Sequence, residues 1–241
     1  MAGSYYIALS GMHARLEALD RLATDLANVS TTGYKAGRTT TTQADRDGFG
    51  VSLQAAIDVT NGPTHIDSRP GAITATGRDL DVAVDGPGLF AIDTPGGTRY
   101  THDGRFVRRA DGMLATAGGL TVQSDTGMPL AVGLDGPVRV ETDGTVRSAG
   151  VAIGKLKVVE FNNPGVLVRE GPDQFRSDDE EPHPALVSAV RPGALEQSNV
   201  SVMERLAELT NVSRNFGTME RALSLLANDV DLRAITELGR R

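Results

Sequence analysis

The stretch Asp25-Leu26-Ala27-Asn28-Val29-Ser30-Thr31-Thr32-Gly33-Tyr34-Lys35 marks where the first pattern of the chain stops, and its reading sets the architecture. Upstream of it, Leu9, Leu16 and Ala23 recur every seven residues, and Met12, Leu19 and Leu26 form a second series three residues behind. Alternating steps of three and four place both series on one narrow stripe, the seam of a coiled coil. This predicts a helix over 4–28. His13, Arg15, Glu17, Asp20, Arg21, Thr24 and Asp25 fall around the stripe as a solvated face, with Glu17 placed to support Arg21 one turn on. After Asn28 the period ends. Ser-Thr-Thr competes for backbone hydrogen bonds, and Gly33 is expected to take the left-handed turn that stops a helix.

A single such helix has nothing to pack on, and its match lies at the far end. Val202, Leu209, Phe216, Leu223 and Val230 again recur every seven residues, interleaved with Val212, Met219 and Leu226. Ser201 followed by Glu204 reads as a capping box, and Gly239 stands just past the last turn. Matching seams at opposite ends predict a mixed α and β chain. Its two terminal helices would pair as a coiled coil around an inserted antiparallel β-rich domain. The expected organisation is a helix in 1–35, an extended connector in 36–67, a β-rich domain in 68–190, and a return segment with the second helix in 191–241.

The domain between the helices has its own texture. From Ser68 onward, short alternating runs are cut by glycine turns: Asp85-Gly86, Asp103-Gly104, Asp111-Gly112, Gly118-Gly119, Asp135-Gly136 and Asp143-Gly144. Asp-Gly between alternating runs is the strongest short-range hairpin signal, read here as type I′ turns with positive φ at both central residues. Strands are expected at 72–76, 80–84, 89–93, 99–101, 105–108, 120–123, 138–142, 155–160 and 175–176. Strand–helix alternation is absent, which argues against a parallel α/β fold.

Composition limits the function. The net charge of −7 argues against a nucleic-acid partner, which requires a basic footprint. The chain has no cysteine, so disulfides, thiolate metal sites and thiol nucleophiles are excluded. Aromatic residues make up only 4 %, so the core must rest on many small β-branched contacts. The first residues lack a basic n-region followed by an apolar run, so neither a cleavable signal nor membrane insertion is expected.

Chemistry is hard to find. His13, His65, His102 and His183 are dispersed without metal-ligand spacing. Asp85-Gly86-Pro87-Gly88 lacks the Gly-Lys-Ser/Thr ending of a phosphate loop and precedes a strand. The domain's aspartates mostly precede glycine, where they shape turns. No nucleophile elbow occurs. No catalytic residue, cofactor or metal is therefore expected, and a hydrolase would need two carboxylates converging in a cleft. The strong signal is the seams. Ala8, Ala18, Ala27, Ala207, Ala222 and Ala227 on the remaining helix surface would let further helices approach closely.

These residues resemble the flagellar rod, hook and filament-axis proteins of bacteria. Leu26-Ala27-Asn28 through Thr31, Gly33, Tyr34 and Lys35 is similar to that family's amino-terminal signature, and Leu195-Glu196-Gln197-Ser198-Asn199-Val200 to its carboxy-terminal one. Leu80-Asp81-Val82-Ala83-Val84-Asp85-Gly86-Pro87-Gly88-Leu89-Phe90 and Tyr100-Thr101-His102-Asp103-Gly104-Arg105-Phe106 resemble the rod and hook β-domain. The short interval from Lys35 to Leu80 resembles the proximal-rod kind more than the distal-rod kind, whose insert there is longer. The resemblance implies a non-enzymatic structural subunit of the basal-body rod, crossing the periplasm. Its partners would be itself, other rod subunits and the flagellar type III export apparatus.

Overall fold

The computed structural model describes residues 2–39 and 64–238, with side chains described in 11–38, 65–218, 220 and 221. The chain divides into a helical unit and a β-unit, the latter comprising 27–38 and 65–200. The helices are α1 (Ala2–Ala27) and α2 (Val202–Leu238). Ser201 caps α2: its Oγ accepts from the Glu204 backbone N–H at 3.4 Å, satisfying one of the donors that a helix start leaves open.

The β-unit begins with β1 (Gly37–Thr39), β2 (Thr64–Ile66), β3 (Ile73–Ala75), β4 (Val82–Asp85), β5 (Leu89–Thr94) and β6 (Gly97–Thr101). Then come β7 (Phe106–Arg108), β8 (Leu114–Thr116), β9 (Thr121–Val122), β10 (Val138–Val140), β11 (Thr145–Ser148) and β12 (Val151–Lys155). The last are β13 (Val158–Glu160), β14 (Leu167–Arg169), β15 (Phe175–Ser177), β16 (His183–Pro184), β17 (Ala189–Pro192) and β18 (Ala194–Glu196). A nine-stranded sheet runs β14-β15-β6-β5-β9-β8-β7, with β13 on β5 and β16 on β13. Strands β10-β11-β12 form a second sheet, and β17-β4, β18-β3 and β1-β2 are two-stranded ribbons. Every pairing from β3 onward is antiparallel.

Strand β5 explains why there are two cores. Successive side chains of a strand point to opposite faces, and here both faces are covered. Phe90 and Ile92 enter a valine-rich cluster with Val82, Val84, Phe106, Leu114, Val122 and Val146. Leu89 and Ala91 enter another with Tyr100, Val159, Phe161, Leu167 and Phe175. Phe90 meets Phe106 edge-on, ring centres 5.0 Å apart, and Tyr100 meets Phe161 in the same way. Small β-branched contacts therefore fill the larger cluster around a few rings.

The hairpins differ from the expected turn type. Among the described residues the only non-glycine with positive φ is Ala149, so no Asp-Gly pair forms a type I′ turn. Gly112, Gly119, Gly127 and Gly144, all at positive φ, instead donate to the carbonyls of Arg109, Thr116, Ser124 and Glu141. In each, that first residue's N–H bonds to the residue after the glycine. This is a three-residue loop, a type I turn closed by a left-handed bulge, and it needs positive φ only at the glycine. Asp111 and Asp143 accept from the N–H two residues on. Asp103-Gly104 is not such a turn. Gly104 lacks positive φ, and a Cβ there would stand 1.6 Å from the Val82 carbonyl oxygen, so it serves close packing.

The single strand expected over 155–160 is interrupted between β12 and β13, where Leu156 is buried and bridges to Ser124. The ends of the expected connector are ordered as β1 and β2; its interior, 40–63, lies outside the described residues.

Candidate functional site

The quoted signature does more than stop a helix. Helix α1 ends at Ala27, and the chain turns with Thr31 N donating to Asn28 O and Tyr34 N to Thr31 O. Gly33 lies well beyond the helix end, at φ +69°, so it is not a helix cap. A Cβ on Gly33 would fall 2.5 Å from the His102 carbonyl carbon. Left-handed φ and lack of space both require glycine, and its N–H donates to Glu196 O at 2.8 Å. Tyr34 and Ala36 then bury against Val200, with Val29 alongside.

Lys35 follows, buried to 1 % exposure. Its Nζ donates to Glu196 Oε1 at 2.6 Å and to Arg69 O at 3.1 Å. Glu196, equally buried, also accepts from Gly71 N at 2.7 Å, and its Oε2 lies 3.2 Å from His102 Nδ1. Burial alone would raise the Glu196 pKa, but the His102 ring and the Lys35 ammonium outweigh it and pull the value from 4.5 down to about 2. Burial pushes the His102 pKa down; Glu196 opposes this, and the Lys35 charge adds to it. At neutral pH the cluster is a buried carboxylate–ammonium pair with a neutral imidazole. Each charge has a partner, which burial of a carboxylate and an ammonium demands, and Glu196 Oε1 accepts from both Lys35 and Gly71.

Asn199 closes the same junction. Its side chain accepts from Ala36 N at 2.7 Å and donates to Asp67 O at 2.8 Å and Arg69 O at 2.9 Å, while its N–H donates to Tyr34 O. Arg169 lies over the Tyr34 ring at 4.5 Å and the Phe175 ring at 5.4 Å, with its guanidinium bonded to Lys35 O. Hydrogen bonds from Arg69 hold the Asp67 carboxyl below the usual range against an opposing burial effect. The amino-terminal signature, the His102 motif and the carboxy-terminal signature thus meet in one buried network.

The seam residues lie in the helical unit. Among the described residues of α1 the buried positions are Gly11, Ala14, Leu22 and Asp25; Gly11, Leu22 and Asp25 each lie one residue before an expected seam position, and Ala14 lies between two such positions. Leu16 is 47 % exposed, and Met12, Leu19 and Leu26 are half-buried. On α2, Leu209, Val212 and Phe216 are half-buried, while Val202, Met203 and Leu206 are exposed. The side chains of Leu9, Met219, Leu223, Leu226 and Val230 lie outside the described residues, as does Gly239. Asp25 is not on a solvated face: it is buried, 3.3 Å from Arg205, which also bonds Glu208 at 2.7 Å. A buried carboxylate demands such a cation. Glu17 lies 3.4 Å from His13.

Two carboxylate residues, Asp125 and Asp143, line a cleft of about 630 Å³ with Lys155, Lys157, Pro182 and Val190. Asp143 is committed to the N–H and hydroxyl of Thr145, which hold its pKa below the usual range. A carboxyl held ionised in this way cannot serve as a general acid. Among the described residues no group of His, Cys, Asp and Glu is arranged to hold a metal, and no helix is long and apolar enough to cross a membrane.

The β-unit is an antiparallel domain closed by motifs from both ends of the chain. Residues 83–148 match the family described as flagellar hook protein FlgE/F/G D1 domain. Over its whole length the chain is similar to flagellar basal-body rod proteins. It is 30 % identical to FlgF of Rhizobium meliloti over 242 residues, covering 99 % of each chain. FlgF of Caulobacter vibrioides is 28 % identical over 253 residues, covering 100 % of this chain and 99 % of that one. FlgG of Bacillus subtilis is 28 % identical over 270 residues, covering both completely. The chain belongs to the flagellar basal-body rod protein family.

The family motifs single out Gly33, Tyr34, Ser198, Asn199 and Val200 but not Lys35, His102 and Glu196 as a group. Each sits inside one of the quoted motifs, so a signal existed. Their meeting was hidden because Lys35 and Glu196 are 161 positions apart.

Proposed function

We propose that the protein is a structural subunit of the bacterial flagellar basal-body rod, of the proximal-rod kind, and performs no catalysis. Full-length similarity to rod proteins carries this reading, joined to a junction that ties the two signatures together. The short interval from Lys35 to Leu80 supports the proximal position. A distal-rod role is the second reading, favoured by the full-length likeness to FlgG of Bacillus subtilis.

In this reading the terminal helices bundle with those of neighbouring subunits, burying seams that a single chain leaves open. Leu16, Val202 and Leu206, exposed here, would be covered in the assembly together with Leu19, Leu26, Phe216 and Leu223. Identical heterologous contacts that do not close into a ring generate a helical shaft, through which torque passes across the periplasm. Export would proceed through the flagellar type III channel, and the lack of cysteine suits passage of an unfolded chain. Isolated helices are marginal in water, so pairing on a growing rod would limit premature assembly.

The test is electron microscopy of basal bodies from a deletion strain. Truncated rods without hooks in non-motile cells are expected, the remaining length distinguishing proximal from distal position. Normal rods and swimming would refute the proposal.

A further inference from the structure

The junction joins the earliest part of the β-unit to its last. Gly33 N donates to the carbonyl of Glu196, Ala36 N to the side chain of Asn199, 163 positions away, and Gly71 N to the carboxylate of Glu196, 125 positions away. Gln197 N returns the pattern by donating to Ala72 O, and β17 and β18 lie against β4 and β3. Segment 27–38 is also held from outside residues 189–200, by Asp67 N donating to Ala36 O and by Arg169 on the Lys35 carbonyl and the Tyr34 ring, but none of these ties supplies the Lys35 counter-charge or the acceptors of the Gly33 and Ala36 N–H groups. Of the hydrogen bonds described for the Lys35 ammonium, only that to the Arg69 carbonyl is independent of residues 189–200. Docking the segment without them would bury a cation lacking its carboxylate and leave the Gly33 and Ala36 N–H groups without acceptors, both strongly unfavourable. The interior of the sheet is different. Strands β5 and β6, β7 and β8, and β8 and β9 pair through short loops, contacts that form early because little chain must be closed.

We propose that residues 189–200 act as a closing staple: segment 27–38 docks onto the β-unit only together with them. A chain delivered amino-terminus first, from a ribosome or through a channel, then keeps its signature undocked until the carboxy-terminal signature has emerged. The order of assembly is set by which residues supply the missing acceptors, not by the strength of the sheet. This goes beyond the rod assignment and does not depend on it.

The experiment is refolding of the intact chain from denaturant with pulsed hydrogen-exchange labelling. The Gly33 and Ala36 amides should gain protection in the same kinetic phase as Gly71, Gln197 and Asn199. That phase should be at least several-fold slower than the one protecting Ala91, Gln123 and Leu130, whose acceptors lie within the sheet or on Lys157. In folded Asn199→Ala, a milder change than loss of Glu196, exchange at Gly33 and Gly71 should accelerate together by tenfold or more, with Ala91 unchanged. Protection of Gly33 and Ala36 alongside Ala91 would overturn the proposal, whether the whole unit closes at once or the segment docks alone. So would an Asn199→Ala protein in which Gly33 keeps its full protection.

Discussion

Replacing Glu196 by glutamine tests the electrostatic account of the junction directly. The side chain keeps its shape and loses its charge, so Lys35 stays buried with a neutral partner. Two routes give the size of the effect. The Glu196 pKa falls from 4.5 to about 2 on folding, and at 1.36 kcal/mol per unit that corresponds to about 3 kcal/mol. Removing one member of a buried ion pair costs about 3–5 kcal/mol, so the routes agree on a loss of about 3. At about 2–4 °C per kcal/mol for a unit of this size, Tm should fall by about 6–12 °C. The assay is thermal and urea unfolding followed by far-ultraviolet circular dichroism. The sign with pH follows from the depressed pKa: the stabilisation is fully present above 4.5 and is lost as pH falls toward 2. His102, also depressed, adds stability above 6.5 that is lost as pH falls below it. Wild type should therefore weaken steadily on acidification, and E196Q should show a flatter profile between pH 4.5 and 2. A loss under about 1 kcal/mol at pH 7, or an unchanged acid limb, would refute the reasoning.

Gly33→Ala should destabilise the β-unit by at least about 2 kcal/mol, since it combines strain at positive φ with a backbone clash at His102; urea midpoints measure it. Phe90→Ala, which empties the space beside Phe106, should cost about 3–5 kcal/mol in the same assay, and a loss under about 1 would mean that the two rings are not the centre of the larger cluster. Leu223→Asp should abolish swimming in soft agar and incorporation into rods while the purified protein keeps the wild-type β-unit melting transition. Motile cells with normal rods would remove the seam from the assembly model.

How far the fold was legible depended on the range of each interaction. Heptad spacing is local, and both helices were readable from it. So was the β-rich domain, whose glycines mark most of the hairpins. The turn type is not legible in the sequence, because Asp-Gly suits two loops and only backbone geometry separates a type I′ turn from a type I turn with a bulged glycine. Nor does a stripe of apolar residues say anything of a carboxylate such as Asp25, buried beside Arg205. At the junction, Asn199 stood out as part of a motif, yet its task of joining Ala36 to Asp67 and Arg69 depends on three segments far apart in the chain. Nothing at position 102 announces that its imidazole will face Glu196.

The junction also has a mechanical meaning. Tyr34 and Ala36 are bonded to Asn199, and Lys35 to Glu196, so the β-unit is a loop of chain tied shut at its base. A pull applied between residue 27 and residue 200 is carried across the knot and bypasses the sheets beyond it. The backbone between β4 and β16 would carry little of that tension until those bonds fail, apart from β14, whose Arg169 holds the Lys35 carbonyl. The β-unit is thus shielded from stretching along its own backbone, while loads arriving through its outer surface remain free to act on it.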